Sequence, residues 1–196
     1  IDNRDIIATI GECKNALLGP QDLRQIARFN QAELDRINPL IHDLTKNIKR
    51  FQFKFEQGME LYQQLAEVLT PTVQSPLPQI QPISFHPHRE LLKALDQATA
   101  SGKLTDLTDW RKKFLPKDDQ GRYGLTDNFN FYRLTHLADL MEQYQARVKS
   151  AGLYDFNDMI LEVIDTIETC DELRFNLQEK YLYIMLDEYQ DTNRAQ

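Results

Sequence analysis

Glycine is scarce in this sequence, with seven in 196 residues. Together with the many Leu, Gln, Glu, Lys and Ala, that scarcity favours helix almost throughout. Cysteine is scarcer: Cys13 and Cys170 stand alone, without CxxC or Cys/His spacing, so neither a zinc site nor a disulfide framework is supported and a reducing, cytoplasmic setting is expected. No apolar run approaches the roughly 18 residues that a membrane-crossing helix needs. The start, Ile1-Asp2-Asn3-Arg4-Asp5, has neither the basic nor the apolar part of a signal peptide. No Gly-x-x-x-x-Gly-Lys-Ser/Thr string occurs, so the chain supplies no loop of that kind to cradle phosphates.

What is present is a soluble, mildly acidic composition: 41% hydrophobic residues, 27% charged and a net charge of -7. That is enough apolar material for a real core, and the bulk field would not gather nucleic acid, so any such contact must use local patches. Leu23, Ile26, Ala27, Leu34, Ile37, Ile41, Leu44 and Ile48, then Met59, Leu61, Leu65, Val68 and Leu69, recur at helical spacing, with a break expected at Asn38-Pro39 between two helices or within one kinked helix. Five of the eight prolines fall between Pro71 and Pro87, which makes that stretch an extended connection. Helices are expected over about 88–100 and 107–115, an exposed loop or hairpin over 117–124, and a long helix over about 127–150 ended by Gly152. Asp155 then caps a helix striped by Met159, Ile160, Val163, Ile164 and Ile167.

Tyr181-Leu182-Tyr183-Ile184-Met185-Leu186 shows no helical alternation and reads as a strand buried on both faces, whose partners in a parallel sheet are not in this sequence. Asp187 and Glu188 follow at once. A buried strand that delivers two adjacent carboxylates to the edge of an α/β sheet has the form of a Walker B element: the first acid suits Mg2+, usually through water, and the second can orient or deprotonate an attacking water.

The full string Asp187-Glu188-Tyr189-Gln190-Asp191-Thr192-Asn193-Arg194-Ala195-Gln196 closely resembles motif II of the UvrD/Rep/PcrA group of superfamily 1 DNA helicases. Tyr154-Asp155-Phe156-Asn157-Asp158-Met159-Ile160 is similar to the group's "DFDDLI" helix start, with Asn157 where an acid is frequent. Ala8 to Pro20 is similar to its "ISxAKNxLLxP" stretch, which opens a helical subdomain interrupting the first motor domain. The resemblance implies Asp187 as the magnesium-associated acid, Glu188 as catalytic base, and Gln190 in the network that links the nucleotide to DNA-contacting parts. It implies ATP and Mg2+ as cofactors of a longer enzyme that moves along single-stranded DNA and separates duplexes, usually 3′ to 5′, with repair or replication proteins as possible partners. This stretch alone would be inactive.

The fold expected is mainly α: the start of a helical subdomain over 1–28, an expanded or inserted helical region over 29–131, the end of the subdomain over 132–180, and over 181–196 one strand and the Walker B acids of a RecA-like α/β motor. The chain has no initiator methionine and stops directly after a motif, so it is read as a piece of something longer. Two basic, aromatic-interleaved patches are candidates for DNA: Lys46, Lys49, Arg50 and Lys54 among Phe51, Phe53 and Phe55; and Arg111, Lys112, Lys113, Lys117 and Arg122 beside Trp110 and Phe114. Lys14 is a further candidate phosphate contact. His86 and His88 have no third ligand nearby and read as loop residues. A competing expectation is a non-catalytic helical interaction module whose acidic end caps a helix or meets a basic partner. A helicase–nuclease component is a variant of the first reading.

Overall fold

The computed structural model describes residues 3–48, 51, 53–72, 75, 77, 78, 80–126 and 131–192. Among them run eight α-helices: α1 (Asn3–Asn15), α2 (Pro20–Thr45), α3 (Phe55–Leu69), α4 (Phe85–Ser101), α5 (Thr105–Phe114), α6 (Phe131–Ser150), α7 (Phe156–Thr169) and α8 (Asp171–Lys180), followed by a 3-10 turn at Tyr189–Asp191. The chain divides into two compact units, one of residues 1–24 with 133–196 and one of residues 25–132.

The first unit forms because α1 and α6 carry complementary stripes. Ile10, Leu23, Ala138 and Met141 are buried together, and Ile6, Cys13, Leu134, Leu137 and Tyr144 pack around them at three- and four-residue intervals. Arg24 in the first turns of α2 joins Asp139 and Glu142 of α6 at 2.7 and 2.6 Å. Helix α6 stops where expected: Gly152 takes a left-handed φ of 66°, and the Leu153 amide donates back to the Val148 carbonyl at 3.0 Å. Asp155 caps α7 in a reciprocal capping box with Asp158. Helix α8 follows directly without a sequence signal of its own, because its apolar spacing is weak; Leu173 and Leu177 are its contribution to a groove of about 430 Å³ shared with Tyr154, Met159, Val163 and Ile167. No residue of α7 or α8 is fully buried.

In the second unit, α4 packs between α3 and α5. Tyr62, Leu65 and Leu69 of α3, Leu91 and Ala98 of α4, and Leu107 and Trp110 of α5 are buried. The Trp110 indole N–H donates to the Pro87 carbonyl at 2.9 Å, which satisfies the one polar atom of a buried ring. Pro87 lies in the first turn of α4, where a missing N–H costs nothing.

Three expectations are decided here. Of the two alternatives at Asn38-Pro39, separate helices are excluded: α2 runs through it to Thr45 as one helix. Pro39 is exposed, so the unmade hydrogen bond faces water, and the Asn38 amide, instead of capping, donates to the Leu125 carbonyl and accepts from the Leu125 amide at 3.0 and 2.8 Å. His86 and His88 lie in the first turns of α4, not in a loop; His86 meets the Phe114 ring edge-on, and among the described residues no metal-holding cluster of His, Cys, Asp or Glu occurs. The strand expected over 181–186 is not formed: these residues are irregular and between 53% and 95% exposed. A strand needs neighbours for its amides and carbonyls, and no described residue offers any there. The start of the long helix at 127–130 lies outside the described residues, as do 73, 74, 76 and 79 of the proline-rich connection. No helix among the described residues is long and apolar enough to cross a membrane.

Candidate functional sites

The acidic turn is the first site. After the irregular apolar stretch, Asp187 and Glu188 both face solvent. The Asp187 carboxylate accepts the Glu188 amide at 2.9 Å through one oxygen, which leaves its other oxygen without a partner among the described residues. Glu188 sits at φ 52°, ψ 42°, a left-handed conformation that a non-glycine residue occupies at a cost of about 1–2 kcal/mol. The 3-10 turn Tyr189–Asp191 follows, closed by the Thr192 hydroxyl on the Tyr189 carbonyl at 2.8 Å, and the Gln190 side-chain amide donates to the Glu188 carboxylate. The family resemblance implies a network role for Gln190; here its partner is Glu188 itself. The donor set is hard oxygen, and two neighbouring carboxylates fit a cation such as Mg2+ that takes one or two protein oxygens and completes its shell with water and phosphate.

Lys14 is a correction. It was a candidate phosphate contact, but its side chain is fully buried and reaches no solvent. Its ammonium donates to Asp155 Oδ2 at 2.6 Å and to Asp158 Oδ1 at 2.5 Å, and lies 5.2 Å from the centre of the Tyr144 ring. The Tyr144 hydroxyl donates to the same Asp155 oxygen at 3.1 Å. Burial alone would push the lysine pKa down, but the two carboxylate bonds outweigh it and hold it above the ordinary lysine value. Burial likewise pushes the Asp155 carboxyl up, and the Lys14 ammonium and the Asp158 amide more than reverse that, leaving it below the ordinary range. The pair of aspartates that caps α7 thus also anchors α1. Two of the sequence blocks noticed separately are one cluster.

The two basic patches also meet, within the second unit. Phe51 stands edge-on to Phe53 and to Tyr123, with centroids 5.6 and 4.9 Å apart. The Arg111 guanidinium lies 4.7 Å from the Phe51 centroid and 5.7 Å from that of Tyr123, and the Lys117 ammonium 4.9 Å from Tyr123. The loop expected over 117–124 is a short hairpin with an antiparallel bridge from Lys117 to Tyr123. Asp118 organises it by accepting the Gln120 and Arg122 amides and the Arg122 guanidinium. Arg122 and Lys112 are each paired with a carboxylate, Asp118 and Asp109 respectively, while Lys113 rests 4.9 Å from the Phe114 ring. Lys49 and Arg50 lie outside the described residues, and Lys46 pairs with Asp43. Beside the hairpin, α2 and residues 116–126 enclose a cavity of about 510 Å³, into which Asn38, His42, Arg122 and Tyr123 face.

The model of the UvrD/REP helicase N-terminal domain matches residues 2–196. This chain belongs to that family. Among relatives of the UvrD/REP helicase family, the ATP-dependent DNA helicase PcrA of Leuconostoc citreum is 37% identical over 60 residues, 31% of this chain and 8% of the relative. The ATP-dependent DNA helicase PcrA of Staphylococcus aureus is 37% identical over 65 residues, 33% of this chain and 9% of that protein. The ATP-dependent DNA helicase Rep of Salmonella typhimurium is 42% identical over 53 residues, 27% of this chain and 8% of the relative. The matches thus span under a tenth of the length of these UvrD/REP relatives. No solved structure matches the chain.

Proposed function

We propose that this chain is part of an ATP-dependent DNA helicase, contributing a helical subdomain and the Walker B acids of the first motor domain. The observation that carries this reading is the solvent-facing Asp187-Glu188 pair, with Glu188 in left-handed backbone, straight after six apolar residues in a chain of the UvrD/REP family. In the complete protein, residues 181–186 would pair as an interior strand, and Asp187 would hold Mg2+ through water. When bound, that ion supplies positive charge to the phosphate oxygens. Glu188 would orient or deprotonate the water that attacks the γ-phosphate, and Gln190, already bonded to Glu188, would set its carboxylate. Residues 25–132 would be an insertion into the subdomain formed by the flanking segments. Without a phosphate-cradling loop the 196 residues alone would not turn ATP over.

The substrate would be single-stranded DNA with an adjoining duplex, travelled 3′ to 5′ in the cytoplasm, with repair or replication proteins as partners. Of the sequence candidates for DNA contact, Arg111, Lys112, Lys113, Lys117 and Arg122 keep that proposed role. In the longer protein, Glu188→Gln should retain nucleotide binding and lower ATP hydrolysis by about 10²–10⁴-fold, with unwinding lost alongside. Wild-type turnover in that variant would remove Glu188 from the chemistry and the motor reading with it.

A further inference from the structure

We infer that Arg111, Lys113 and Lys117 form one phosphate-binding surface for single-stranded DNA on the unit of residues 25–132. This rests on the helicase reading and deepens it by naming where a strand is held outside the nucleotide site. Charge is distributed unevenly: residues 25–132 carry 14 Lys and Arg against 13 Asp and Glu, whereas the rest of the chain carries 9 against 17. A polyanion is therefore repelled by the first unit and tolerated by the second. Within the second unit, Lys46, Lys93, Lys112 and Arg122 are each engaged by a carboxylate. Arg111, Lys113 and Lys117 have no carboxylate within ion-pair distance among the described residues, and residues 111–117 contain four cations and no acid.

These three cations are not loose. Each is laid against a ring, Arg111 against Phe51 and Tyr123, Lys113 against Phe114 and Lys117 against Tyr123, so their positions are set before any ligand arrives. A guanidinium offers its N–H groups as a planar fork, which matches two oxygens of a phosphodiester better than it matches a hydroxyl or an amide. Arg111 and Lys117 flank a single ring, so they suit neighbouring phosphates of one strand. Phe53 and Phe114, both half-exposed beside them, offer apolar surface to unstacked bases. An acidic peptide would use the same charges but gain nothing from those rings.

The test uses the 196-residue chain and fluorescence anisotropy with a labelled oligothymidylate across a range of salt. The wild-type chain should bind with an affinity that falls as salt rises. Lys113→Gln with Lys117→Gln, both exposed side chains, should weaken binding about tenfold and flatten the log–log salt slope by about 1.4, that is about 0.7 for each lost contact to a single strand. Arg111→Gln should remove about one further contact, and Arg111→Lys should restore the slope but not the full affinity. Lys149→Gln with Lys180→Gln, in the other unit, should leave binding unchanged.

Because Lys113 and Lys117 are themselves exposed, the outcome does not depend on whether Arg111→Gln folds. Four results would overturn the surface: no oligothymidylate binding by the wild-type chain, an unaltered slope in the Lys113/Lys117 variant, tighter binding of a matched duplex or of a polyglutamate peptide, or displacement by inorganic phosphate at concentrations that leave ionic strength unchanged. None of these bears on Glu188, whose ATPase test in the longer protein stands separately.

Discussion

Replacing Lys14 with methionine keeps the length and most of the volume of the side chain and deletes its charge, so it isolates what the buried cluster contributes. Removing one partner of a buried ion pair costs about 3–5 kcal/mol, because the charges left behind have lost their compensation. Here the aspartates retain 30% and 21% side-chain exposure and keep each other's backbone amides through the capping box. Partial hydration puts the cost at the lower end, about 3 kcal/mol, or about 6–12 °C in the unfolding midpoint for a chain of this size. Far-UV circular dichroism is the suitable probe, since the one tryptophan, Trp110, reports on the other unit. The same substitution made in an Asp155→Asn, Asp158→Asn background should cost under about 1 kcal/mol, a coupling in the range expected for groups in direct contact.

The pH dependence has a definite sign. Asp155 is held below its ordinary value, so its contribution is present above about pH 4 and is lost as pH falls through the depressed folded value. Lys14 is held above its ordinary value, so its part is complete below about pH 10 and is lost as pH rises through the raised one. The stability gap between wild type and Lys14→Met should therefore be flat from roughly pH 5 to 9 and close toward either side. Equal costs in the two backgrounds, or a gap that varies across the neutral range, would refute the claim that charge and not packing holds α1 to α7.

Two further predictions concern the second unit and the terminal segment. Asn38→Ala strips both hydrogen bonds from the Leu125 amide and carbonyl beneath the hairpin and should cost about 2–4 kcal/mol, read as an earlier loss of Trp110 fluorescence in urea; a cost below about 1 kcal/mol would show that water replaces the amide. Ile184→Asn changes a side chain that is 80% exposed and should leave the unfolding of the 196-residue chain within about 0.5 kcal/mol of wild type, while abolishing the fold of the longer protein's motor if 181–186 is an interior strand; equal tolerance in both would dismiss the strand.

Helix positions were legible in the sequence wherever the stripe was long or the terminator was glycine. Leu134, Leu137 and Met141 mark α6, and Gly102 and Gly152 stand at helix ends with positive φ. Local rules failed where a distant residue intervened. Asn38 has the chemistry of a cap, yet Leu125, 87 positions away, claims both halves of its amide, and so α2 passes through Pro39. Lys14 reads as a surface cation because it precedes an apolar stretch, but the Tyr144 ring of α6 lies against it and the start of α7, 141 residues later, supplies its carboxylates. In hindsight one signal was available: a lysine in one block and two aspartates three apart in another, each on a helix with an apolar face, have the charges to answer one another.

The same comparison separates the two acidic pairs of the first unit. Asp155 and Asp158 are half-buried and neutralised by a lysine, and such carboxylates do structural duty because their lone pairs are already spoken for. Asp187 and Glu188 meet no cation among the described residues, and Glu188 carries a left-handed backbone that none of its own hydrogen bonds requires. Strain kept at the solvent-facing Glu188 has no stabilising return within these residues, and strained positions cluster at active sites, ligand clamps and switch regions. Magnesium and water chemistry is therefore assigned to the exposed pair, while the buried pair, already neutralised by Lys14, holds α1 to α7.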